Sequence, residues 1–233
     1  MRIRHKPWAR PELAASPLFI DDPTAIKGGW HNEFSDPSRP LHLELGCGKG
    51  GFIAQMAVLH PETNFLAVDV KSEMLGFTRR KVEQAFAEVS RVPDNVLLCA
   101  VDIERLPLIL DETDVASRIY INFCNPWPKI KHHKKRLTHP RQLRNYKTFL
   151  ADGGELWFKT DNAPLFLATQ RYFEQSGGFT VTFMTDDLHN SGFAESVATE
   201  HERMFTAQGL PTHFLIARYD KACSPVLEDA VSE

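Results

Sequence analysis

The chain has 233 residues, 42% of them hydrophobic and 24% charged, room for one sizeable core and a composition unlike disordered or fibrous chains. No run approaches the ~20 consecutive apolar residues that a membrane span needs, and a net charge of −3 does not by itself point to a nucleic-acid partner. Four scattered cysteines, Cys47, Cys99, Cys124 and Cys223, form no CxxC pair, which argues against a disulfide framework or a zinc site and for a reducing cytoplasm.

Residues 1–40 open with MRIRHKPWARPEL, which is basic but has no apolar stretch behind it, so no secretory signal is expected. Rich in proline and without a sustained period, they read as an N-terminal basic arm or cap. From residue 41 onward, β-branched and aromatic runs alternate with amphipathic ones. Strands are predicted at 41–46, 64–69, 95–101, 117–124, 154–160, 179–185 and 213–219. Helices are predicted at 50–60, 72–89, 103–110, 139–150 and 163–176. The alternation predicts an α/β, doubly wound fold with a mostly parallel seven-stranded sheet over residues 41–220, followed by a flexible tail at 221–233.

The first strand runs into LELGCGKGG at 43–51, glycines between a strand and a helix, where backbone amides can approach a ligand closely. Gly46, Gly48 and Gly51 fit GxGxxG, a pattern shared by dinucleotide and S-adenosylmethionine sites. Acidic residues stand at the ends of three successive strands: Glu44, Asp69 and Asp102. These carboxylates would repel a pyrophosphate, whereas S-adenosylmethionine carries a sulfonium, an ammonium and ribose hydroxyls. The charge pattern therefore favours the methyl donor.

After the fourth strand, Asn125-Pro126-Trp127-Pro128-Lys129 can continue neither strand nor helix and predicts a rigid loop facing the reactive end of the cofactor. From Asn125 to Ala151 there is no Asp or Glu, while Lys129, Lys131, Lys134, Lys135, Arg136, Arg141, Arg144 and Lys147 all fall there. Such a segregated run can track an RNA backbone, with Lys131, Lys134, Lys135, Arg136 and Arg141 as the expected phosphate contacts and Arg2, Arg4, Lys6 and Arg10 adding charge from the arm. His132, His133 and His139 have no spaced Cys or acid partner, so no metal is expected.

Six segments together resemble the bacterial tRNA (guanine-N7)-methyltransferase family: RHKPWA at 4–9, LELGCGKGGFI at 43–53, NPWPKIKHHKKRL at 125–137, FKTDN at 158–162, DLHNS at 187–191 and TEHERMF at 199–205. The resemblance implies a class I S-adenosylmethionine-dependent methyltransferase fold and methylation of guanine N7 in tRNA, at the variable-loop guanosine of tRNA position 46. It implies cofactor contacts at Glu44, Gly46, Gly48, Gly50, Asp69, Asp102 and Asn125. Lys129, Asp161, Thr199, Glu200, His201 and Glu202 would meet the tRNA guanine. The partners expected are tRNA but neither membrane nor metal, for a monomer or homodimer. Many family members carry Asp where this chain has Asn125, and often Glu where it has Asp69. Guanine N7 offers a lone pair with no proton to remove, so Asn125 is read as an orienting group and not a general base. The start of the loop also resembles the (Asn/Asp)-Pro-Pro-aromatic signature of amino-methyltransferases, with Trp127 in place of the second proline.

Overall fold

The computed structural model describes residues 5–195 and 197–224. Arg2, Arg4 and the tail beyond Ser224 lie outside the described residues. In chain order the elements are α1 (Ala9–Ala14), β1 (Phe19–Ile20), β2 (Leu41–Leu45), α2 (Gly51–Leu59), β3 (Asn64–Asp69), α3 (Ser72–Glu88), β4 (Val96–Ala100) and β5 (Ala116–Asn122). Then follow α4 (Pro140–Phe149), β6 (Leu150–Thr160), α5 (Ala163–Ser176), β7 (Phe179–Thr185), α6 (Glu200–Thr206) and β8 (His213–Tyr219).

All eight strands form one sheet in the order β1-β4-β3-β2-β5-β6-β8-β7, parallel except for β8, which runs antiparallel to both neighbours. The seven expected strands are all there. The eighth, β1, is a two-residue strand from the proline-rich start, too short to leave a period in the sequence. Helices cover both faces, so central strands have few solvent-facing positions: every residue of β3 is buried. One core packs Trp30, Leu43, Leu143, Tyr146 and Phe166 against the sheet; the other packs Leu13, Phe52, Ile53, Leu75 and Phe86 on the opposite face.

Local signals fix several element ends. α4 begins with Pro140 in its first turn and His139 accepting from the Arg141 amide at 3.2 Å. α5 begins where Asn162 Oδ1 accepts from the Leu165 amide at 2.9 Å, and it stops at Gly177, whose φ of 63° ends the helical run. The stretch expected at 103–110 is a 3-10 helix, Ile103–Leu108, with Pro107 inside it.

The described part of residues 5–40 is built into the domain. Trp8 sits edge-on to Phe77 of α3, and Glu12 pairs with Arg79 and Arg80. Trp30 is fully buried and donates from Nε1 to the Ile109 carbonyl at 2.7 Å, while Asp114 accepts from the Gly28 and Trp30 amides at 2.7 and 3.0 Å. Arg10 is paired with Asp21, so part of the expected basic charge of this segment is neutralised locally.

Candidate active site

The chain runs from β2 outward through β3 to β4, then crosses back to place β5 on the other side of β2. That reversal opens a crevice at the carboxyl ends of the strands, the usual ligand position in such sheets. The glycine loop leaves β2 here. Gly46 and Cys47 donate backbone N–H groups to the Val68 carbonyl at 2.8 and 3.1 Å, and the Gly48 amide donates to Asp69 Oδ2 at 3.0 Å. Asp69 Oδ1 accepts from the Lys71 amide at 2.9 Å, so this carboxylate organises both loops, while burial raises its pKa against those two bonds.

A cleft of about 340 Å³ opens beside this loop, lined by Gly46, Asp69, Asp102, Trp127, Lys135 and Leu137 among others. The structure therefore brings together residues 46, 69 and 102, spread over three βα junctions, with the loop after β5. Asp102 is exposed and caps the 3-10 helix, accepting from the Glu104 amide at 3.0 Å. Gly48 leaves open space where a Cβ would stand, whereas Gly50 is turned inward and a Cβ there would lie 2.6 Å from Thr78 Cα. Gly50, expected at the cofactor, thus packs against α3.

Glu44 lies below the cleft and not on its wall. It is buried, and its Oε1 accepts from Asn122 Nδ2 of β5 at 3.1 Å, while Oε2 is buried without a partner. Burial, with Asp69 nearby, pushes its pKa up to about 8 against the opposing effects of Asn122 and Lys159. An orphaned carboxylate oxygen beneath a cleft with two further carboxylates suits a cationic ligand that also offers hydroxyls, and S-adenosylmethionine fits that donor set.

The loop after β5 is stiff for identifiable reasons. Phe123 and Trp127 have positive φ of 50° and 42°, uncommon for bulky residues. Asn125 is exposed and its Oδ1 accepts from the Trp127 amide at 3.1 Å. Arg136, expected on the RNA-facing surface, is instead buried: Nε donates to the Pro126 carbonyl at 2.9 Å, one terminal N–H to Trp127 O at 3.4 Å and the other to Tyr172 Oη at 3.0 Å. A guanidinium can serve three acceptors at once, so Arg136 holds the strained loop in place. Lys129, Lys131, Lys134, Lys135 and Arg141 are exposed; Lys135 Nζ lies 5.2 Å from the Trp127 ring centroid, and Arg141 approaches Glu104 at 3.9 Å.

The segment from Thr199 to Glu202 starts α6, which lies over the glycine loop. Glu200 pairs with Lys81 of α3, and Arg203 donates to Gln55 of α2 at 2.8 Å. His201 is exposed and stacks on Phe123, ring centroids 5.9 Å apart. Thr199 and Glu202 are buried, each accepting from the other's amide in a capping box, at 3.0 Å to Thr199 Oγ1 and 3.3 Å to Glu202 Oε2. Glu202 Oε2 also accepts from Lys159 Nζ at 2.8 Å. Glu202, expected at the guanine edge, is thus engaged inside the protein. Asp161, at the end of β6, is exposed. Asn122, Lys159 and the bracing role of Arg136 had no local signal, since each depends on a partner distant in sequence or on burial of a charged side chain.

Among the described residues no group of His, Cys, Asp and Glu is placed to hold a metal ion, and no helix is long and apolar enough to cross a membrane.

Residues 38–215 match the family model described as "Putative methyltransferase". A tRNA (guanine-N(7)-)-methyltransferase of Ruminiclostridium cellulolyticum is 52% identical over 221 residues, which is 94% of this chain and 92% of that protein. One of Clostridium beijerinckii is 52% identical over 220 residues, covering 94% and 100%. In fold, the 16S rRNA methyltransferase KamB superposes with a TM-score of 0.57 at 13% identity, covering 78% of this chain and 88% of that one. An antibiotic-related methyltransferase gives 0.55 at 18%, covering 78% and 87%. These two likenesses show the class I methyltransferase architecture, while the methyltransferase family model implies S-adenosylmethionine as the methyl donor. The identity to curated relatives, sustained over nearly the whole length of both chains, goes further: this chain belongs to the tRNA (guanine-N7)-methyltransferase family.

Proposed function

We propose that the protein methylates N7 of a guanosine in tRNA, the variable-loop guanosine of position 46, by in-line transfer without an obligatory general base. The observation that carries this reading is the meeting, at the β2/β5 crossover, of a carboxylate-rich cleft with a rigid aromatic loop that leads directly into exposed lysines. Bound S-adenosylmethionine supplies an electrophilic methyl group. Glu44, Asp69 and Asp102 would hold its ammonium and hydroxyl groups, and the glycine loop lets the backbone approach it.

On the acceptor side, Lys129, in the loop after β5, and Asp161, just after β6, are exposed and would offer a donor for O6 and an acceptor for the guanine N–H groups. Lys131, Lys134, Lys135 and Arg141 would follow the phosphates. Glu202 would act indirectly, by setting the start of α6, which exposes His201 and holds Glu200 at the surface beside Lys81. Since N7 has no proton to lose, the loop's task is alignment, which well-oriented groups supply without acid–base chemistry. Neither stage needs a metal.

Digesting a treated, initially unmodified tRNA transcript to nucleosides tests substrate and target atom together. 7-Methylguanosine at the variable loop supports the reading; N6-methyladenosine would transfer the protein to the amino-methyltransferases, and unmodified nucleosides with intact tRNA binding would make it a non-catalytic RNA-binding module.

Asn125 provides a second check. Asn125→Asp keeps an acceptor for the Trp127 amide and should change kcat by less than about tenfold. Asn125→Ala removes the bond that closes the loop over a residue of positive φ and should lower kcat roughly 100-fold, the scale of losing one positioning contact. An Ala variant with full activity would refute the orienting role.

A further inference from the structure

Among the described residues Lys159, on β6, is the most deeply buried cation, at 1% exposure. Its Nζ donates to Glu202 Oε2 at 2.8 Å and to the Val197 carbonyl at 2.9 Å, and lies 5.9 Å from the Phe52 ring of α2. Its own carbonyl accepts from the Phe123 amide at 2.9 Å, where the loop after β5 begins. One residue thus fixes the root of that loop through its backbone and the entry to α6 through its side chain. The two meet again at the surface, where Phe123 stacks on His201.

The electrostatics are uneven. Desolvation lowers the Lys159 pKa, and the carboxylates of Glu202 and, more weakly, Glu44 oppose it. Lys159 is therefore a buried cation between the Glu44 carboxyl beneath the methyl-donor cleft and the Glu202 carboxylate, which caps the segment bearing Glu200 and His201. A long, flexible lysine has no reason to be buried on a central strand for packing alone, because an apolar residue of like volume would fill the space without a desolvation cost.

We propose that Lys159 is a positioning residue that ties the tRNA-facing segment 197–206 to the floor of the donor crevice, so that loss of its charge impairs use of tRNA far more than binding of the donor alone. The inference rests on the proposed role of that segment in meeting tRNA, and its first test does not use activity. In the free protein, Lys159→Met should leave Glu202 buried without its cation and release the start of α6. Amide hydrogen exchange over residues 199–206 should accelerate on the order of tenfold or more, while the amides of β3 keep their protection. Should Lys159→Met fail to fold, Lys159→Met/Glu202→Gln leaves no unpaired buried charge and should show the same local acceleration.

The second readout is kinetic. The tRNA KM of the folded variant should rise about tenfold or more, with a much smaller change in the dissociation constant of S-adenosylmethionine measured without tRNA. Unchanged exchange over 199–206 in a folded variant would overturn the tether, as would a donor affinity that collapses while the tRNA KM holds. If the wild-type protein formed no 7-methylguanosine, the proposed function would fall while the exchange result still judged the tether.

Discussion

Replacing Glu44 with Gln should abolish most of the pH dependence of S-adenosylmethionine binding. Burial pushes the Glu44 carboxyl up to about 8, so near neutrality the free protein holds the proton. A cationic ligand prefers the ionised form, so its binding at pH 7 must expel that proton, and apparent affinity should climb as pH rises toward 8. Between pH 6 and 7.5 the climb should approach one decade per pH unit, roughly 30-fold in all. Calorimetry in two buffers of different ionisation enthalpy would register the released proton directly. The Gln variant should bind about as well as wild type at pH 6 and fall behind as pH rises, because an amide lacks the charge that the carboxylate gains. Stability should move the opposite way: a carboxyl whose pKa is higher folded than unfolded loses stability as pH rises from its unfolded value toward 8. The melting temperature of Glu44→Gln should therefore gain on wild type between pH 5 and 8. A wild-type affinity that is flat from pH 6 to 7.5 would mean that the ligand's charge does not reach Glu44.

The same carboxylate shows where sequence reading succeeds and where it stops. The position of Glu44, Asp69 and Asp102 at the carboxyl edge of the sheet was legible because strands leave a period and a doubly wound sheet gathers strand ends there; that Glu44 would be buried off the cleft wall was not. β7 and β8 were legible to the residue for the same reason. The Asn122 bond to Glu44 spans 78 residues, and nothing in INFCN announces it. Arg136 and Lys159 were misread or overlooked through one physical default: a charged side chain is normally solvated. In Arg136 the loop's own carbonyls reverse that default, and in Lys159 a carboxylate 43 residues away does so. The elements missed before residue 41 are short. Both α1 and β1 owe their form to α3 and β4, against which they pack, and not to any period of their own. α6, a helix of 7 residues, is likewise held by Lys81, Gln55 and Lys159.

Gly50 and Gly48 should separate folding from ligand binding within one loop. Both have positive φ, 74° and 56°, so alanine at either position bears a conformational cost of about 1–2 kcal/mol. Their surroundings differ. A Cβ on Gly50 would meet Thr78 at its Cα, in the middle of α3, where the backbone cannot swing aside as a side-chain tip could. Thr78 itself donates to the Gly48 carbonyl at 3.0 Å, so pushing α3 away also slackens the loop. Gly50→Ala should therefore lose about 2–5 kcal/mol of stability, strain plus overpacking, and bind S-adenosylmethionine poorly as a consequence. A Cβ on Gly48 meets nothing within 4 Å, so Gly48→Ala should lose only the conformational term of about 1–2 kcal/mol. The open space it would fill lies on a loop whose amide is held by Asp69, in the path proposed for the ligand. Its affinity for S-adenosylmethionine should fall more steeply than its stability, by on the order of tenfold. Denaturant melts paired with calorimetry would distinguish the two positions. Equal losses of stability at both would show that φ alone governs this loop, whereas full binding by a well-folded Gly48→Ala would place the ligand elsewhere in the crevice.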